Sequence, residues 1–146
     1  MAITAKNYYE GIRQIAEGSL KLESDEIKAV LLTSSYTWSA ANVYNHKFYS
    51  SISSYVATGG AGVTMTGIGV SFVDAITDYI KVIADDVNWV AATGTIRYAV
   101  IYKWTGTAGT SPLIAVIDFG TNQVLAAQSL DLKFTDGIVF KFTKKV

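Results

Sequence analysis

Cysteine is absent from the 146-residue chain, and proline and histidine occur once each. Without cysteine, disulfide staples and thiolate metal sites are excluded. Stability has to come from burial or from association with partners. Charge is also scarce. Twelve basic and twelve acidic residues cancel, and charged residues make up 16% of the chain, against about 25% in ordinary domains. A balanced chain generates no large field to draw it to nucleic acid. Lys144 and Lys145 at the tail are too few to form a basic patch. No apolar run reaches the roughly 18 residues of a membrane-spanning helix. The opening residues MAITAKNYYEG lack the apolar block of a secretory leader. The expectation is a protein made and folded in a cytoplasm, with no membrane or nucleic-acid partner.

What is abundant is apolar surface. Half of the residues are hydrophobic, and the mean hydropathy of +0.28 is high for a free monomer. Few charges and no net charge favour association. Two readings fit: much of the surface meets other protein, or the chain is a well-packed sandwich with Ser/Thr-rich faces. The length suits one domain over residues 1–146.

Strand signals dominate. Ile27 to Ser35 is almost continuously apolar, which predicts a strand covered on both faces. Val63, Met65, Ile68, Val70 and Phe72 keep a two-residue rhythm with one slip near Gly67, as at a bulge. The stretch DAITD predicts a turn. A strand from Tyr79 follows, ended by Asp85-Asp86 ahead of Val87 and Trp89.

The tidiest alternation runs from Thr95 to Gly120. Ile96, Tyr98, Val100, Tyr102 and Trp104 are expected on one face, and Arg97, Ala99, Ile101 and Lys103 on the other. Leu113, Ala115, Ile117 and Phe119 continue the alternation beyond the tip TGTAGTSP, whose composition makes a turn. Leu130, Leu132 and Phe134 are expected to pair with Ile138, Phe140 and Phe142, because Asp136-Gly137 is a preferred two-residue hairpin turn. Residues 1–18 read as a helix or arm. Thr4 is its cap, Tyr8, Ile12 and Ile15 its stripe, Gly11 its weak point and Gly18 its stop. The fold class expected is mainly β: an antiparallel β-sandwich, jelly-roll-like, with a short N-terminal helix.

Reactive groups are sparse. His46 lies among Ser50, Ser51 and Ser53, but no nucleophile-elbow motif accompanies it, so it reads as a polar loop histidine. Asp85 and Asp86 are adjacent, and neighbouring strand residues point to opposite faces. TGGAG at 58–62 lacks the Lys-Ser/Thr and the helix of a phosphate loop. No catalytic residue, cofactor or metal is expected, and the chain is not read as an enzyme. Between Tyr36 and Val56 lies an aromatic-rich stretch without a clean period. It predicts a long ordered loop, with a helical turn within Asn45 to Val56 carrying Phe48, Ile52 and Tyr55 (or Val56). Such loops interact, or cap a sandwich.

Three stretches, IKAVLLTSSYT, DDVNWVAATGTIRYAVIYKWTGTAGTSPLIAVIDFG and LDLKFTDGIVFKF, together resemble a family of small structural proteins of tailed bacteriophages. The likeness covers most of the chain. It is strongest from Ala84 to Gly120 and weakest from Trp38 to Tyr55. It is a likeness of scaffold residues rather than of a catalytic motif. Ala91-Ala92-Thr93 and Thr95-Ile96 replace the family's usual polar and alanine residues. The resemblance implies a virion protein, and among virion roles a capsid decoration (cement) protein. Its partners would be the major capsid protein and copies of itself, in a symmetric oligomer such as a trimer on the capsid surface. A tail or head-fibre module contacting the host, with sugar binding, is the alternative. The residues expected at an interface are Tyr8, Tyr9, Trp38, Tyr44, Phe48, Thr107, Gly109 and Thr110.

Overall fold

Apolar alternation along the chain produces two antiparallel sheets in the computed structural model, which describes residues 4–73, 79–134 and 137–143. The elements are β1 (Thr4–Asn7), α1 (Tyr9–Glu17), β2 (Ile27–Thr33), α2 (Ala40–Asn45), β3 (Val63–Thr64), β4 (Gly69–Val73), β5 (Tyr79–Ile83), β6 (Val87–Lys103), β7 (Leu113–Leu132) and β8 (Ile138–Thr143). One sheet has the order β1-β7-β6-β2-β3, and the other β4-β5-β8. The mainly β, antiparallel class with a short N-terminal helix is therefore what the chain adopts. The five strands of one sheet and the three of the other share one core cluster. No helix of the described residues is long and apolar enough to cross a membrane.

The β6–β7 hairpin is the spine. Its register runs from Val87↔Leu132 to Tyr102↔Leu113. β2 adds to one side, pairing Ile27↔Lys103 through Thr33↔Ile96, and β1 to the other, pairing Thr4↔Asp118 through Asn7↔Ala115. The ladder slips where Ile96↔Gln123 gives way to Tyr98↔Asp118, so Arg97 alone stands opposite residues 119–122. This bulge reverses the faces. Ile96 joins Ala99 and Ile101 in one core cluster, while Tyr98, Val100 and Tyr102 join the other. The single alternating face expected from Ile96 to Trp104 is thus corrected at its first residue.

Both faces of the five-stranded sheet are buried over β2, the second half of β6 and the start of β7. On one, Ile27, Ala29, Leu31 and Ile101 pack with Val82 and Val139 of the smaller sheet and with Leu22 and Met65. On the other, Val30, Leu32, Val100 and Leu113 pack under Tyr8, Tyr36 and Ile52. This explains the unbroken apolar run of β2. Each fully buried Val, Leu or Ile among them contributes about 1.5–3 kcal/mol.

Several other expectations are corrected. Thr4 does not cap a helix. It opens β1, and α1 begins at Tyr9 after an extended Tyr8. Gly18 does end α1, in the left-handed conformation at φ 78°. The rhythm from Val63 to Phe72 is split between β3 and β4, which lie in different sheets. The two runs at 113–119 and 130–134 belong largely to one 20-residue strand, β7. The segment from Ile138 does not turn back on Leu130–Phe134. It pairs with β5, Ile80↔Phe142 and Val82↔Phe140. Asp136 of the expected hairpin turn and the DAITD turn at 74–78 lie outside the described residues.

Candidate interaction surface

The aromatic-rich stretch after β2 folds over one face of the large sheet. Its helix is α2, upstream of the expected position, and single 3-10 turns follow at Tyr49–Ser51 and Ser53–Tyr55. Four of its six aromatics, Tyr36, Trp38, Tyr49 and Tyr55, pack on the core beneath. Tyr36 is 1% exposed, and its ring meets those of Tyr98 and Tyr55 edge-on at centroid distances of 5.5 and 5.4 Å. Tyr49 packs on Tyr102 at 4.7 Å and on Trp104 at 6.0 Å. Tyr8 is wholly buried. Its placement among interface residues is therefore corrected. It follows directly on β1, its N–H donates to the Ile114 carbonyl at 2.8 Å, and its ring is directed into the core.

The outward aromatics lie beside it. Tyr9 and Tyr44 are 61% and 63% exposed, and their rings meet edge to face at 5.9 Å. Trp38 is half-buried, its ring perpendicular to that of Tyr8 at 6.1 Å. Phe48 is half-buried too, and its backbone bridges Pro112. That bridge joins the aromatic segment to the β6–β7 tip. The Leu113 N–H donates to the Lys47 carbonyl and the Tyr49 N–H to the Ser111 carbonyl, at 2.9 and 2.8 Å. The tip is closed by its own hydrogen bonds. Buried Ser111 Oγ donates to the Thr107 carbonyl at 2.8 Å and accepts the Thr105 N–H at 3.0 Å. Thr107, Gly109 and Thr110 remain exposed around it. The fold thus joins the segments carrying Tyr44, Phe48 and residues 107–110, and sets Tyr9 against Tyr44.

A groove of about 790 Å³ on the other flank of α1 escaped sequence reading. Ile12, Ile15 and Ala16 of α1 line it with Leu22, Val70 and Ile80, and Lys21, Glu23 and Ser24 form its polar rim. The stripe Ile12–Ile15 was the signal, but its partner strands β4 and β5 are distant in sequence. α1 reaches this position because Gly11 lets its backbone touch β7. A β-carbon there would lie 2.3 Å from the Leu113 carbonyl oxygen.

The ionisable groups are engaged locally. His46 Nδ1 lies 2.9 Å from Tyr36 Oη, and burial lowers its pKa below the ordinary 6.5. The Arg13 guanidinium, with help from Gln14, holds the Glu10 carboxyl below its usual range against the effect of burial. Asp85 accepts from Thr66 Oγ1 at 2.9 Å and Asp86 from the Phe134 N–H at 3.0 Å, so the two carboxylates serve separate turns. Residues 58–61 pack along β6: Thr58 bridges Thr93, and Trp89 Nε1–H donates to the Ala61 carbonyl at 3.0 Å. Among the described residues no three acidic or histidine side chains come together as a metal site. Comparison with protein-family models, with curated proteins and with solved structures finds no match.

Proposed function

We propose that this chain is a structural protein of a tailed-bacteriophage particle, and within it a capsid decoration protein that binds the assembled shell. The observation that carries the reading is the end of the molecule where Tyr9 and Tyr44 stand more than half exposed next to Trp38 and the segment tied to the threonine-rich tip. Exposed aromatics are enriched at protein interfaces relative to the rest of the surface. A chain of zero net charge meets no electrostatic barrier to packing copies closely. The resemblance of Ala84 to Gly120 to bacteriophage structural proteins supplies the kind of particle.

The action proposed is mechanical. A protein that binds the assembled lattice and not its separated subunits stabilises the lattice by linkage. Copies joined as a symmetric oligomer engage several shell subunits at once, so modest single contacts sum to firm attachment. A second reading, a tail or head-fibre module that grips host sugars, draws on the same perpendicular Tyr9–Tyr44 pair, since aromatic faces also stack on sugar rings.

Mass spectrometry of separated capsids and tails distinguishes the two. Decoration requires copies in proportion to shell subunits, whereas a few copies confined to the tail would sink it. A Tyr9→Ser/Tyr44→Ser double variant is expected to stay folded and lose at least about tenfold in shell affinity. Glycan binding lost in the same variant, with shell binding unchanged, would favour the second reading.

A further inference from the structure

A hydrogen-bonded relay runs from the core to the base of this surface. Tyr8 Oη lies 3.0 Å from Tyr36 Oη, which lies 2.9 Å from His46 Nδ1. Tyr8 and Tyr36 are 0% and 1% exposed, and His46 is half-buried at the end of α2. Two hydroxyl hydrogens serve two links. With Nδ1 bare, Tyr8 donates to Tyr36 and Tyr36 donates to Nδ1, and both hydrogens are used. The imidazole hydrogen is then on Nε2. A protonated His46 carries a hydrogen on Nδ1 that faces the Tyr36 hydrogen. Letting Tyr36 Oη accept from both neighbours leaves the Tyr36 hydrogen without a partner, and reversing the relay instead leaves the Tyr8 hydroxyl hydrogen in the core. Tyr36 is its only side-chain partner among the described residues. A buried donor without an acceptor is costly.

We infer that His46 is a proton-controlled latch: neutral, it fastens the 37–47 segment to the core through Tyr36, and protonated, it releases that segment. The segment carries Trp38, α2 and Tyr44. Within it, the Asn42 side chain donates to the Thr37 carbonyl and the His46 N–H to the Asn42 carbonyl at 3.0 Å, so His46 and the start of the segment are joined through Asn42. The ionisable side chains around the relay come from each element packed there: Tyr8 ahead of α1, Tyr36 after β2, Tyr98 on β6 and Tyr55 in the second 3-10 turn. Lys47 is next in the chain, and its charge reaches Glu10 on α1. Glu10 is already held by Arg13 and Gln14. Burial raises the pKa of Tyr8 and Tyr36, so neither loses its proton near neutrality. Burial lowers that of His46, in the direction the relay requires. The stabilisation is whole above the unfolded value near 6.5 and is lost as pH falls toward the lower folded value.

The chain's sole histidine gives an unambiguous nuclear magnetic resonance signal. Its ring is expected to titrate below 6.5 and to be the Nε2–H tautomer when neutral. Amide exchange over residues 37–47, corrected for intrinsic rates, is expected to be about tenfold faster at pH 5 than at pH 7.5. His46→Gln should abolish that pH dependence. Tyr36→Phe, which removes the donor to Nδ1, should move the His46 midpoint up toward 6.5. A midpoint at or above 6.5, an Nδ1–H tautomer, an unmoved midpoint in Tyr36→Phe, or the same acceleration in His46→Gln would each overturn the latch. These readouts need no partner. Failure of shell binding at every pH therefore counts against the surface and not against the latch.

Discussion

Replacing Gly11 with alanine should destabilise the protein, against the ordinary rule for helices. On propensity alone, glycine to alanine inside a helix is favourable by about 1 kcal/mol. Here the added β-carbon would lie 2.3 Å from the Leu113 carbonyl oxygen and 2.7 Å from Ile114 Cα. Both are backbone atoms of β7, so no side chain can swing aside. Ordinary contact begins near 3.4 Å, and α1 has to lift by about 1 Å to reach it. Lifting strains the Tyr8 N–H to Ile114 carbonyl bond of 2.8 Å and loosens Ile15 against the core. Overpacking costs about 1–3 kcal/mol, and the weakened hydrogen bond about 1 kcal/mol. After the gain in propensity, a net loss of about 2 kcal/mol is expected, which lowers Tm by about 4–8 °C in a chain of this length. Urea and thermal unfolding followed by far-ultraviolet circular dichroism measure it. Gly109→Ala is the control. A β-carbon there meets nothing within 4 Å, and its stability should stay within about 0.5 kcal/mol of wild type. A Gly11→Ala protein as stable as wild type or more so would show that α1 does not rest on the β7 backbone.

Trp89→Phe removes a buried indole and the donor to the Ala61 carbonyl; a loss of about 2–4 kcal/mol in guanidinium unfolding is expected. At Asp118, burial raises the carboxyl pKa, but the Arg97 bonds at 2.6 and 3.3 Å and the Gly120 N–H at 2.8 Å outweigh it and hold the group below 3.8. Its stabilisation is present above that value and lost as pH falls through the folded pKa. Asp118→Asn should accordingly flatten the acid limb of the stability–pH curve; an unchanged limb would show that the pair is not formed. A double-mutant cycle on Tyr9 and Tyr44 should return a coupling of about 0.5–1 kcal/mol from the edge-to-face contact, and zero coupling would remove the pair from the surface.

The chain's own pattern revealed the fold where burial is simple. β2 is covered on both faces, and its unbroken apolar run says so. The stretch from Thr95 was legible as strand, but only as the second half of β6, which begins at Val87 directly after the Asp85-Asp86 break. The pattern misled where tertiary pairing decides. Thr4–Asn7 carries polar residues with good helix caps, yet it pairs with β7 because Tyr8 must enter the core just after it. Ile138–Thr143 alternates like a hairpin partner of Leu130–Phe134, yet β5 takes it, and alternation names no partner. The bulge opposite Arg97 leaves no mark that distinguishes Phe119-Gly120 from a strand end. At the surface, Tyr9 and Tyr44 were legible as aromatics in polar company. Tyr8 was not separable from Tyr9 without the register of β1.

The two-sided burial of the large sheet restricts where binding can occur. Over β2 and the second half of β6, neither face is open: the smaller sheet covers one and the aromatic segment covers the other. A partner on this half of the sheet must therefore meet the segments that do the covering, whereas the far end of the β6–β7 hairpin stays open, with Val90 and Val124 78% and 77% exposed. The aromatic segment then has two tasks, and its missing periodicity is their physical trace. Tyr36, Tyr49 and Ile52 face inward at irregular spacing because two 3-10 turns, rather than one helix, bend the chain over the sheet. Tyr44 faces outward from α2. Substitutions in this one stretch should consequently separate by direction and not by residue type. Tyr36→Ala leaves a cavity under the segment and strands the Tyr8 hydroxyl, at a cost of about 3–5 kcal/mol in unfolding free energy. Tyr44→Ala should cost under about 1 kcal/mol while weakening whatever binds this surface. Equal losses of stability at the two positions would mean that α2 is packed inward, and the surface described around Tyr44 would not exist.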